Sequence, residues 1–192
     1  LFLIDNFKSL LSPQYAGDLI YFLVTFILLW KITKEDMQRN IISNKNIIFG
    51  LIFGIVTIAW LPQLKPIMLN QRFIDLTSLP FIKILDSFIA ALFLGIFFIM
   101  IQLTPKVRLG AGDIKFSILV GFLLGFYWSF IALVVVSILL ALYSIIIIFN
   151  KGKKQAYRDV YPLAPFWFLG SIFAVIFGNI ISNYLGITLI TG

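Results

Sequence analysis

"FSILVGFLLGFYWSFIALVVVSILLALYSIIIIFN", Phe116 to Asn150, runs for 35 residues without a charge. As a single helix it would be about 50 Å long, whereas the hydrocarbon core of a bilayer is about 30 Å thick. Length alone therefore predicts two helices joined by a tight turn near "GFYWS", Gly125 to Ser129. On either side lie further runs with few or no charges: Tyr15 to Ile32, Asn46 to Leu64, Ser87 to Pro105 and Val160 to Gly192. Each is long enough for a crossing of roughly 20 helical residues, and the period-two alternation of a membrane barrel is absent. The 192-residue chain is 61% hydrophobic and 12% charged, with a mean hydropathy of +1.05. Such a composition lies outside the soluble range and predicts an all-α, polytopic membrane bundle in one domain. Its helices are expected at about 15–33, 46–64, 86–105, 113–127, 129–149 and 164–185.

Charge placement orients this bundle. Lys31, Lys34, Arg39 and Lys45 fall between the first two helices; Lys106, Arg108 and Lys115 between the third and fourth; Lys151, Lys153, Lys154 and Arg158 between the last two. These are 11 of the 15 basic residues. The positive-inside rule makes the three connections cytoplasmic and leaves both termini outside. Trp30, Trp60 and Trp128 fall near helix ends, where interfacial anchors are expected. Topology and anionic lipid thus account for the net charge of +7, and no nucleic-acid partner is expected. The 62–83 connection is the one sizeable outside loop. The opening "LFLIDNFKSLLS" is expected to lie flat on the membrane, and with no basic start or cleavage site it does not read as a signal peptide.

There is no histidine and no cysteine. That removes Ser-His and Cys-His nucleophile pairs, HExxH zinc sites and CxxC centres, so no metal or cofactor is expected. No phosphate-cradling glycine loop is present either. Enzymatic chemistry is left to carboxylates or to a Ser/Lys pair. Of the eight acids, Asp5, Asp18, Glu35, Asp75, Asp86 and Asp159 read as solvated or interfacial charges. Asp36 and Asp113 both fall at the cytoplasmic boundary, one after the first helix and one opening the fourth. Each also has a purely structural reading. Asp113 suits a helix N-cap behind two glycines, and Asp36 suits a loop acid neutralised by Lys34 and Arg39.

Taken together, three stretches resemble one family. "GAGDIK", Gly110 to Lys115, is similar to the GxGD motif of the type IV prepilin peptidases and archaeal preflagellin peptidases, which are intramembrane aspartyl proteases. "DMQRNIISN", Asp36 to Asn44, resembles that family's first motif, with Ser43 where the family usually has proline. "YPLAPF", Tyr161 to Phe166, is similar to the element that opens the last helix in many bacterial members, and "DSFIAALFLG", Asp86 to Gly95, resembles the family's third segment. The 62–83 loop is longer than is usual there. Many bacterial relatives carry an N-terminal cytoplasmic insertion with paired CxxC motifs. Its absence here reads as a short, peptidase-only form in which methyl transfer is not expected.

The resemblance implies a catalytic pair, Asp36 and Asp113, at the cytoplasmic face of a bacterial inner or archaeal membrane. One carboxylate takes a proton from water while the other, protonated, donates to the scissile carbonyl. Gly110 and Gly112 are expected to let an extended substrate approach, and Lys115, Asn44, Pro162 and Pro165 to shape the site. Lys115 is equally well read as snorkelling, and the prolines as packing. The implied substrates are prepilins, pseudopilins or flagellin-like precursors with a basic leader, and membrane lipid is the other partner. A reading from a different class is a small transporter or scaffold, which predicts acids at mid-helix and a repeat in two halves; neither is visible. A Ser/Lys signal-peptidase dyad lacks room for its soluble domain.

Overall fold

The structure, a computed structural model, describes residues 16–60, 80–104, 110–151 and 162–184. The opening segment, the 62–79 part of the outside loop, Lys106, Arg108 and Lys153 to Arg158 lie outside them. Six α-helices, and no strands, occur among the described residues. They are α1 (Ala16–Arg39), α2 (Asn44–Trp60), α3 (Pro80–Gln102), α4 (Ala111–Leu124), α5 (Phe126–Lys151) and α6 (Ala164–Tyr184).

The long uncharged run is indeed divided. The break is narrower than expected: Gly125 alone separates α4 from α5, at φ 79°, a backbone conformation that glycine adopts without steric cost. The largest departure is in α1. It continues past Ile32 for nearly two more turns and ends where Asn40, at φ 50°, donates its N–H to the Asp36 carbonyl. A left-handed Asn is a common helix stop. Asp36 therefore lies inside the last turn of α1, not in a loop after it. The reason is periodic: Tyr21, Thr25, Leu28, Leu29, Ile32 and Asp36 form one buried stripe, while Lys31, Lys34 and Arg39 on the other faces are exposed.

α4 is the centre of the bundle. It is apolar on every side from Phe116 to Leu124, and no residue in that span is exposed, as expected of a helix surrounded by others. It packs against α2 and α3, while α6 packs against α1 and α5. These two groups of three meet where α4 touches α5 and α6, α3 touches α5, and α1 touches α2. Within each group small residues bring backbones together. A methyl at Gly121 of α4 would lie 2.8 Å from the Ala90 carbonyl of α3, and one at Gly170 of α6 would lie 2.8 Å from the Ala132 carbonyl of α5.

Hydrogen bonds fix which ends lie together. Lys115 at the start of α4 reaches Asn44 at the start of α2, and Thr33 near the end of α1 reaches Ala164 at the start of α6. At the far end, Tyr21 of α1 bonds the Leu123 carbonyl of α4, and Tyr127 of α5 bonds the Gly178 carbonyl of α6. The outer faces are apolar, with Ile20, Leu23, Ile27, Ile48, Ile52, Leu92, Ile138 and Ile176 among many exposed large side chains. A surface of that kind has no stable place in water. Two stretches, Ile84–Gln102 and Phe126–Asn150, are long and apolar enough to cross a membrane; Asn44–Thr57 and Ala164–Gly178 are shorter apolar helices. Trp30 is exposed as an anchor should be. Trp128 is instead a core residue, buried against Phe22 and Tyr127, because it faces inward on the first turn of α5.

Candidate active site

Asp113 sits in the first turn of α4. Gly110 is the N-cap, in an extended conformation at φ −72° and ψ 144°, and Asp113 is the third helical residue rather than the cap. Its Oδ2 accepts the Gly110 N–H at 3.2 Å, while its own N–H donates to the Gly110 carbonyl at 3.1 Å. This is half of a capping box: a glycine has no side chain with which to return the favour. The extended backbone of Gly110 is open to any residue. Gly112 is constrained by packing, since a methyl there would lie 3.3 Å from Cβ of Ile42. The absent side chain at 112 therefore admits Ile42, a buried residue of the turn between α1 and α2.

Asp36 arrives from the other group of helices. It is 4% exposed, and its Oδ2 accepts the Ala164 N–H at 3.3 Å. Ala164 opens α6, so its N–H has no carbonyl of its own helix to bond; a carboxylate both satisfies it and complements the positive end of the helix. The local sequence prepares this. Leu163 caps α6 by accepting from Phe166 and Trp167, and Pro165 occupies a first-turn position at which no N–H is required. The backbone N–H of Leu163 is directed at Asp113, so adjacent peptides at the mouth of α6 serve the two aspartates.

Electrostatics tie the pair together. Both carboxylates lie outside the apolar runs, which end at Ile32 and begin at Phe116. Burial raises the proton affinity of Asp36, and the Ala164 N–H partly opposes it. Asp113 is pushed up to about 6 from 3.8, first by burial and next by the negative charge of Asp36, against the Gly110 and Leu163 N–H groups. The negative charge of Asp36 thus adds to burial in raising the proton affinity of Asp113.

The expected residues are brought together only in part. Asp36, Asp113 and Gly110 converge. Lys115 donates to Asn44 Oδ1 at 3.0 Å, so these two exposed residues tie α4 to α2 and neither bonds an aspartate. Ser43, at the family's proline position, caps α2 through its carbonyl, which accepts from Asn46 and Ile47. Pro162 precedes the Leu163 cap, and both prolines are partly buried. Glu35, read as a solvated charge, is instead bonded by Asn46 at 2.7 Å, which links α1 to α2. Thr33, Leu163 and Ala164 were not legible as site residues: two act through backbone atoms, and none carries a charge. Among the described residues no three His, Cys, Asp or Glu side chains form a metal-holding group.

The sequence profile of the type IV leader peptidase family matches residues 23–145. No curated protein and no solved structure matches the chain.

Proposed function

The chain belongs to the type IV leader peptidase family and is thus a membrane-associated peptidase acting on precursor proteins, and from that premise we propose that it is an aspartyl endopeptidase whose working pair is Asp36 and Asp113. The observation that carries the proposal is the convergence of these two carboxylates, one from each group of three helices, at the N-terminus of α6, where the charge of one raises the proton affinity of the other. A water held between them loses a proton to the ionised carboxylate as it attacks the scissile carbon. The protonated partner donates to the carbonyl oxygen, giving a tetrahedral intermediate whose collapse returns the proton with the leaving amine.

The substrate class follows from the family and from the place of the site. The precursors are prepilins, pseudopilins or flagellin-like proteins with a basic leader, cut at the cytoplasmic face of a bacterial or archaeal membrane that the six helices cross. Asp36 and Asp113 lie at the end of the bundle that also presents Lys34, Arg39, Lys45 and Lys115, the end expected in the cytoplasm. The experiment is leader cleavage of a precursor from the same genome, in membranes, by the parent and by Asp36→Asn and Asp113→Asn at matched expression. Loss in both variants is expected; processing by both at the parental rate overturns the aspartyl assignment.

A further inference from the structure

Thr33 stands out when the hydroxyls of the helices are compared. Thr57, Ser137 and Ser144 each bond a carbonyl four residues back in their own helix, at 2.8, 2.8 and 2.7 Å. That local bond is the usual resource of a helical Ser or Thr. Thr33 is 1% exposed and takes another partner: its hydroxyl donates to the Ala164 carbonyl at 3.3 Å, 131 residues away. It lies three residues before Asp36, so the two side chains share a face of α1. Together they hold both polar groups of one residue, the carbonyl through Thr33 and the N–H through Asp36.

We propose that Thr33 is a positioning residue, whose grip on the Ala164 carbonyl aims the Ala164 N–H at Asp36. The inference rests on the reading of Asp36 and Asp113 as the working pair. Ala164 itself is fully buried, and its side chain is a single methyl with no polar group to fix the two peptides that flank it. With the hydroxyl gone, the backbone on either side of the Ala164 Cα is tethered at one point fewer, and the ionised form of Asp36 loses part of a donor that favours it. The other ionisable groups nearby leave this control intact. Asp113 faces Asp36 from α4, Lys115 turns to Asn44, Glu35 is bonded by Asn46, Lys34, Arg39 and Lys45 are exposed, and the first turn of α6 has no acid.

Thr33→Val keeps the shape and removes the hydroxyl; Thr33→Ser keeps the hydroxyl. Both are assayed as purified protein in lipid–detergent micelles on a prepilin-like precursor, with rates normalised to the folded fraction and with Asp36→Asn and Asp113→Asn alongside. A hydrogen bond serving a charged group predicts a kcat roughly ten-fold lower in Thr33→Val, with KM nearly unchanged. The acidic limb of the pH profile moves to higher pH, because Asp36 protonates more readily, and Thr33→Ser restores both. Should the valine variant fail to insert, Thr33→Ala, which adds no bulk, gives the same reading. A parental kcat and pH profile without the hydroxyl overturns the proposal, as does a fall in kcat with the pH profile unmoved, which is what a packing role produces. Cleavage that survives in both aspartate variants overturns the underlying assignment instead, whatever Thr33→Val does.

Discussion

Two helix N-termini in this bundle receive an aspartate from another helix. At the start of α5, the Phe126 N–H lies 3.4 and 3.3 Å from the two carboxylate oxygens of Asp86, from α3. At the start of α6, the Ala164 N–H lies 3.3 Å from Oδ2 of Asp36, from α1. Donor, acceptor and helix end are alike, so the bond itself does not separate a capping aspartate from a working one. The surroundings do. Asp86 is partly exposed, whereas Asp36 is buried and lies within range of the charge of Asp113. A helix end favours the ionised form of a carboxylate that caps it, whereas a second carboxylate close by raises the proton affinity of the first. The neighbouring Asp113 carboxylate, more than the cap, distinguishes the proposed site.

The largest effect is expected from neutralising either Asp36 or Asp113, with Asp86 at the other end as the contrast. Asp36→Asn and Asp113→Asn should each lower leader cleavage by about a thousand-fold or more, the scale of a lost general acid or base. Asp86→Ala should cost about 1 kcal/mol as a lost cap while kcat stays within about two-fold. Cleavage rates and thermal unfolding in detergent measure both, and an equal collapse of activity at the Asp86 end would erase the distinction.

Next comes pH. The Asp113 carboxyl holds its proton up to about 6 in the folded protein, against 3.8 for the free group. The folded state thus binds more protons between those values, so the stability this group contributes is complete below 3.8 and is lost as pH rises through about 6. Asp36→Asn removes the like charge and should move that decline to lower pH; Asp86→Ala should leave it in place. Unfolding midpoints measured across the window decide this.

Smaller effects test the packing of the site. Gly112→Ala adds a methyl 3.3 Å from Cβ of Ile42 and should cost about 1 kcal/mol, with several-fold slower cleavage as the first turn of α4 shifts. Lys115→Met severs the exposed bond to Asn44 and should change cleavage by no more than about two-fold. A much greater loss would move Lys115 from the frame of the site into its chemistry.

How much of this could be read from sequence varies with the physics involved. The division of the 116–150 run followed from length, and the glycine at the break from the need for a sharp reversal. The two aspartates were visible because their motifs are local. The helical setting of Asp36 was missed because the charges of "TKEDMQR" obscure a stripe that, at spacings of three and four, runs unbroken from Tyr21 to Asp36. The contact of Gly112 with Ile42 was also not legible, because it is set by how the α1–α2 turn folds back on α4. The Thr33 and Ala164 contacts join positions 131 residues apart. No local pattern encodes such a pairing; it arises only when α6 docks on α1.

The backbone contacts at Gly121 and Gly170 also have a mechanical consequence. Where one main chain rests on another without side chains between them, sliding meets a hard wall within tenths of an ångström. α3 with α4, and α5 with α6, are thus the most closely joined pairs, and a seam runs between the two groups of three. Asp113 rides on one side of that seam, while Asp36 and the Ala164 peptide ride together on the other. A relative motion of the two groups would change the separation of the carboxylates while Asp36 stays with the helix mouth that orients it. The boundary between the two groups of helices is thus also the line across which its two aspartates meet.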